Sequence, residues 1–296
     1  MRKQFALWVL LGLLLGGVPA HQVYCQSDLM DLLDSEDDDD KGFVSATFKG
    51  TRLLNGQSVE TRKKGVLEFV IGHRFGAINT GISQLYGLDD AFVRFALEYG
   101  VTDDLSVGFG RSSFGKVVDS FAKYKILKQS KAMPVTMTAF SSLAIDTEEF
   151  PEDSPLDQFN FRLDYSFQML IARKFNSDFS LQLMPSLVHR NLAPGSEDND
   201  IFVMGVGARY KLTSRLALDI EYYNQLRDLP VGVYNSLALG LEIETGGHVF
   251  QLIFSNAVQL IEKGFLVEST GNFWDGDIHF GFNISRAFDL KPGHKK

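Results

Sequence analysis

Cysteine is almost absent from this chain: Cys25 is the only thiol among 296 residues, beside six His and two Trp. A lone cysteine excludes a disulfide within the chain. His and Cys this few and this dispersed give no ligand set for a metal, so neither metal nor cofactor is expected. No CxxC, HExxH, GxSxG or phosphate-loop pattern occurs, and no catalytic residue is assigned. A basic excess is missing too. Twenty-nine Lys and Arg against 37 Asp and Glu leave a net charge of −8, without the basic face that nucleic-acid binding needs. Beyond the N-terminal region no run approaches the eighteen apolar residues of a membrane helix. If the mature chain crosses a membrane, it must do so with strands.

The N-terminus, "MRKQFALWVLLGLLLGGVPA", has a positive start at Arg2 and Lys3, an apolar stretch from Phe5 to Leu15 and small residues at Val18-Pro19-Ala20. That is an export signal occupying residues 1–25, with cleavage between 20 and 26. The mature chain should begin between His21 and Ser27. Val23-Tyr24 lacks the small residues that precede a lipid-anchored cysteine, so Cys25 is not read as one. Residues 26–42 are acidic, with four aspartates at 37–40; they form a solvated tail that could also recruit envelope proteins.

Aromatics are plentiful, with 25 Phe and nine Tyr, and they sit in alternating runs. In "FNFRLDYSFQMLI", Phe159, Phe161, Leu163, Tyr165, Phe167, Met169 and Ile171 share one face; Asn160, Arg162, Asp164, Ser166 and Gln168 share the other. Period two over this length predicts a strand longer than the globular norm, which suits a tilted membrane strand. Val93–Tyr99, Leu216–Tyr223, Leu237–Ile243 and Ile278–Ser285 repeat the pattern.

Three features favour a membrane barrel over a soluble sandwich. Short connections near 100–104, 128–134, 175–178, 212–215 and 245–248 alternate with long ones near 111–118, 147–157, 190–200, 226–235 and 257–275, as turns and external loops do in outer-membrane barrels. The short turns at Thr102, Asn176 and Thr213 lie 74 and 37 residues apart, which is the repeat of one hairpin. Aromatics flank the ends: Tyr99, Phe175 and Tyr210 beside short turns, Phe273 and Trp274 near the last long loop. The final alternating strand, "IHFGFNISRAF", closes at Phe288. The fold expected is an all-β, antiparallel transmembrane β-barrel of about twelve strands across 65–288, with a tail at 289–296. The strands fall near 65–75, 91–100, 104–111, 118–128, 133–146, 158–174, 178–190, 200–212, 215–224, 235–245, 248–256 and 276–288. The strand-like run Phe43–Thr51 would make thirteen, so 43–64 is read as periplasmic or tucked into the lumen.

On this register Glu68, Arg74, Arg94, Glu98, Lys123, Lys125, Arg162, Asp164, Arg209, Asp219, Glu221 and Glu242 face the lumen. Their mixed signs fit cross-strand ion pairs that fill a narrow barrel, or the lining of a selective pore for small polar solutes or ions. Leu163 should face lipid near the middle of its strand's apolar band. Asp164 should face the lumen, paired with Arg162 or a cross-strand cation. His189 falls on the apolar face, where some twelve-stranded barrels carry a phospholipase Ser/His pair, but no serine stands at a supporting spacing. The reading is a porin-like outer-membrane barrel of a Gram-negative bacterium, a narrow channel or a structural barrel. Its alternatives are a membrane-embedded hydrolase and a docking protein for envelope partners.

Between Phe48 and Lys125 the segments "FKGTRLLNGQSVET", "GVLEFVIGHRFG", "LYGLDDAFVRFALEYGVTDDLSVGFGRSS" and "FAKYKILKQ" resemble an uncharacterised family of Bacteroidota outer-membrane β-barrels. The matching motifs are Gly72-His73-Arg74-Phe75-Gly76 and Tyr86-Gly87-Leu88-Asp89, and the C-terminal "FGFNISRAF" is similar too. The resemblance implies a barrel in the bilayer and no particular substrate.

Overall fold

The computed structural model describes residues 42–151, 154, 157–195 and 197–290. The expected export signal, all but the end of the acidic segment, and the last six residues lie outside the described residues. Twelve strands form: β1 (Val66–Ala77), β2 (Ala91–Gly100), β3 (Leu105–Ser112), β4 (Val118–Leu127), β5 (Thr136–Ile145), β6 (Leu163–Lys174), β7 (Phe179–Arg190), β8 (Asp200–Thr213), β9 (Leu216–Gln225), β10 (Ser236–Thr245), β11 (His248–Ser255) and β12 (His279–Asp289). Each pairs antiparallel with its sequence neighbours, and β1 pairs with β12 to close the barrel. At that seam Ile71 lies between Ile284 on β12 and Phe95 on β2.

The recurring short turn has one chemical cause. Thr102 Oγ1 accepts from the backbone N–H groups of Asp104 and Leu105, at 3.3 and 3.0 Å. Asn176 Oδ1 accepts from Asp178 and Phe179, both at 2.8 Å, and Thr213 Oγ1 accepts from Arg215 at 3.2 Å. A short polar side chain that captures the backbone two residues on reverses the chain in each hairpin.

The two faces are inverted relative to a soluble protein. Phe95, Phe109, Phe167, Phe202, Leu218 and Phe254 are among the large apolar side chains exposed outward, while Arg74, Lys123, Glu98 and Glu221 are buried inside. Water would solvate the first group poorly and the second group well; a bilayer outside and a polar interior reverse both terms. Closure also leaves no strand edge without a partner. The barrel should therefore stay folded in SDS at room temperature and migrate differently on a gel after boiling. Identical migration of heated and unheated samples would contradict a closed barrel.

One expectation changes. The strand foreseen from residue 158 begins at Leu163, because β5 ends at Ile145, the partner of Leu163, and no ladder holds the chain extended beyond it. Phe159–Arg162 instead make a 3-10 turn. Leu163 thus stands at the end of β6, not near its middle, and Arg162 stands on the rim. The run Phe43–Thr51 makes only one isolated bridge, Phe43 with Ser130, and adds no strand.

Candidate functional site

Residues 43–64 enter and leave the barrel at the short-turn end. Val44 N donates to Gln129 O at 2.8 Å and Lys174 Nζ to Ser45 O at 3.0 Å. On the return, Thr61 Oγ1 donates to Asp103 O at 2.9 Å and Lys64 N to Asp103 Oδ1 at 3.0 Å. Between these points the segment is buried in the lumen: Phe48, Leu53, Leu54, Asn55, Gln57 and Val59 are nearly inaccessible. A tight turn sits deepest, closed by Leu53 N donating to Gly56 O at 3.0 Å. The Glu221 carboxylate accepts the N–H groups of Leu54 at 2.9 Å, Asn55 at 2.8 Å and Gly56 at 3.2 Å. A Cβ at Gly56 would lie 1.9 Å from Tyr223 Oη, so only glycine fits there.

Five of the charged positions read as lumenal hold this segment. Glu68 accepts from Thr51 Oγ1 at 2.7 Å and from Arg62 Nε at 2.9 Å. Arg74 reaches Asn55 Oδ1 at 2.7 Å and Asn283 Oδ1 at 3.2 Å. Lys123 donates to Thr51 O at 2.9 Å, and Lys125 to Glu60 Oε2 at 3.2 Å. Glu221 is the fifth.

Others pair wall to wall. Arg94 Nε donates to Asp119 at 3.0 Å, Lys123 also lies 3.4 Å from Glu98, and Arg209 bridges Glu242 at 2.9 Å and Glu244 at 3.0 Å. Asp219 is buried with neither carboxylate oxygen hydrogen-bonded. Asp164 does not pair with Arg162: its partner is Lys263, at 2.6 Å. Arg162 is drawn to the rim by the end of β6, 3.7 Å from Asp157 and donating to Glu148 O. Reading charges alone passed over Gln182, Gln251 and Asn283, uncharged residues that also face inward; the same alternation marks them.

The long connection before β12 closes the other end. Its helix α1 (Glu262–Val267) is turned inward, with Phe265 against Tyr223 at a ring separation of 5.2 Å. Gln57 Nε2 donates to Glu262 Oε1 at 2.7 Å, so the two inserts meet inside the barrel. A cavity bordered by Thr51, Arg52, Glu68, Gln251 and Asn283 measures about 10 Å³, at the lower limit for a single water.

In the Gly72–Gly76 motif, Gly72, Arg74 and Gly76 point inward while His73 and Phe75 point out. His73 stacks on Phe282 at 4.9 Å. The Tyr86–Asp89 motif meets the Gly72–Gly76 motif, because a Cβ at Gly87 would lie 2.4 Å from Gly76 O. Gly87 has φ of +85°, and Tyr86, Leu88 and Asp89 around it are exposed. At the rim, Glu197 is shared by Arg190 at 2.9 Å and Arg227 at 3.0 Å. Burial alone would raise its pKa, but the bonds from those two arginines outweigh it and hold the carboxyl below the usual range. His189 has both nitrogens engaged, Nδ1 with Asp200 Oδ1 at 2.7 Å and Nε2 with Asn191 Oδ1 at 3.1 Å.

No curated protein matches the chain. Solved structures with a similar fold include the NanC porin, at 10% identity over 76% of this chain and 100% of that one, with a TM-score of 0.48. An outer membrane channel from Pseudomonas putida F1 is 14% identical over 78% and 98%, with a TM-score of 0.49. The outer membrane protein Omp33 of Acinetobacter baumannii is 8% identical over 76% and 99%, with a TM-score of 0.40. Residues 48–288 match the family described as membrane bound beta barrel domain, DUF5777. The chain belongs to that family of membrane-bound β-barrels.

Proposed function

We propose that this protein is an outer-membrane channel of a Gram-negative cell, held closed by its own N-terminal segment. The observation that carries the reading is how that segment is seated. It joins no ladder along its buried length and, beside the apolar packing of Phe48, Leu53, Leu54 and Val59, is held by many side-chain hydrogen bonds and ion pairs from the wall, such as those of Glu221, Arg74, Lys123 and Glu68. A barrel filled only for rigidity is served as well or better by apolar packing, since buried ion pairs give little net stability. A polar seat can be rehydrated when the segment leaves, and the same charges then line a path for small polar solutes or ions. The export signal at residues 1–25 and the alternation of short turns with long loops support outer-membrane placement. The acidic residues 26–42 precede the point where the segment enters the short-turn end, which suits a handle for an envelope partner.

Conductance in planar bilayers tests this. The Gly56→Leu chain cannot seat its turn against Tyr223 and should conduct steadily, while the wild type should be nearly silent. A Gly56→Leu barrel that shows heat-modifiable migration, and so is folded, yet stays silent would leave a structural barrel as the better reading.

A further inference from the structure

The wall contacts of the N-terminal segment fall largely on its main chain. Gln182 takes both sides of the segment's backbone: its Oε1 accepts from Val59 N at 2.9 Å and its Nε2 donates to Gln57 O at 2.8 Å. Thr138 Oγ1 donates to Val59 O at 2.8 Å, and Lys123 Nζ to Thr51 O at 2.9 Å. Asn283 Nδ2 donates to Leu54 O at 2.7 Å, and Gln251 Nε2 to Leu53 O. Glu221 accepts three consecutive N–H groups. These six side chains come from β4, β5, β7, β9, β11 and β12, around most of the circumference. They satisfy atoms that every peptide possesses.

Side chains of the segment are met by polar partners, as Thr51 is by Glu68 and Asn55 by Arg74, and its two leucines by two apolar hollows. Leu53 fills one over Gly207, where a Cβ would lie 2.6 Å from its Cδ1; Leu54 fills the other over Gly240, where a Cβ would lie 2.3 Å from its Cδ2. The first hollow is continuous with Met184 and Val203, the second with Ala238 and Ile253. Backbone bonds that supply affinity, with pockets for individual side chains, are the physical basis of peptide recognition.

We infer that the lumen is a binding path for oligopeptides that present adjacent apolar side chains at a tight turn, and that residues 51–60 occupy it as an internal competitor. The inference rests on the closed-channel reading above. A saccharide or a simple ion could meet the wall's donors and acceptors but would leave the paired leucine hollows empty.

The test uses the full-length Gly56→Leu chain in planar bilayers, with Glu221→Gln as a second variant that opens the seat without added bulk. Three probes are added in turn: a synthetic peptide with the sequence of 43–64, an otherwise unrelated peptide of equal length carrying two adjacent leucines followed by Asn-Gly, and a linear oligosaccharide of similar mass. Both peptides should interrupt the current, and the oligosaccharide should not. The added change Gln182→Ala should shorten the blocked dwell time about tenfold, the effect of losing one buried pair of backbone bonds. Block by the 43–64 peptide alone would overturn the inference, showing a seat made only for this segment, and so would equal block by the oligosaccharide. Should both variants be folded yet silent, the closed-channel reading fails by itself. Fluorescence anisotropy of the labelled unrelated peptide on the same detergent-solubilised barrels then decides the inference, with saturable binding weakened by Gln182→Ala supporting it and absence of binding overturning it.

Discussion

Glu221→Ala should raise the open probability of the barrel by roughly 100-fold or more in bilayer recordings. The Glu221 side chain is fully buried and is the acceptor for Leu54, Asn55 and Gly56 N–H. Truncation leaves these three donors facing Tyr223 and the β9 wall with no acceptor. Each buried donor stripped of its partner costs about 1–3 kcal/mol, and even about 3 kcal/mol in total shifts a two-state equilibrium by more than 100-fold. The cost falls only on the seated state, because outside the lumen those N–H groups bond to water. The barrel ladder is untouched, since residue 221 keeps its backbone pairing with Gly207 and Ala238. Heat-modifiable migration should therefore match the wild type while conductance does not. An open probability unchanged from wild type would mean that water entering the vacated space replaces the carboxylate, and that the seat depends on the remaining contacts.

The strand pattern was legible because lipid and lumen impose opposite chemistry on successive residues. β2 runs over 91–100 as read, and β4, β7 and β11 depart by about a residue. β5 and β12 begin three residues later than read, and β6, with the largest departure, is instructive. Alternation continues through Phe159, Phe161 and Leu163, but a strand persists only while a neighbour supplies its ladder, and β5 stops at Ile145. Period two reports which side a residue would face, not where pairing ends.

The lumen shows the same boundary between local and non-local information. That Glu221 and Arg74 point inward follows from their own strands. That Glu221 holds a turn 165 residues earlier follows from the way the chain re-enters the barrel, and no local period encodes it. The available clue was "LLNG" at 53–56, two leucines followed by a turn-forming pair, in a stretch that reads poorly as a membrane strand. Asp164 shows the limit from the other side: Arg162 is close in sequence, but the turn before β6 carries it to the rim, and Lys263 arrives from α1.

The lipid face can be tested along β6 itself. Phe167 lies well inside the strand, opposite Ser141 on β5 and Leu187 on β7, and is 47% exposed. Phe167→Arg places a cation deep in the apolar band, which costs roughly 2–4 kcal/mol near the bilayer midplane. Leu163→Arg puts the same charge on the strand's first residue, where the cost falls to about 0–1 kcal/mol because the side chain reaches water. The yield of membrane-integrated barrel should thus fall sharply for Phe167→Arg and little for Leu163→Arg. Asp164→Asn, on the inward face between them, should assemble normally and lose only its charge pairing with Lys263. Failure of Asp164→Asn beside normal assembly of Phe167→Arg would exchange the two faces. The inward residues named throughout would then face lipid, where the charges of Arg74, Lys123 and Glu221 could not be held.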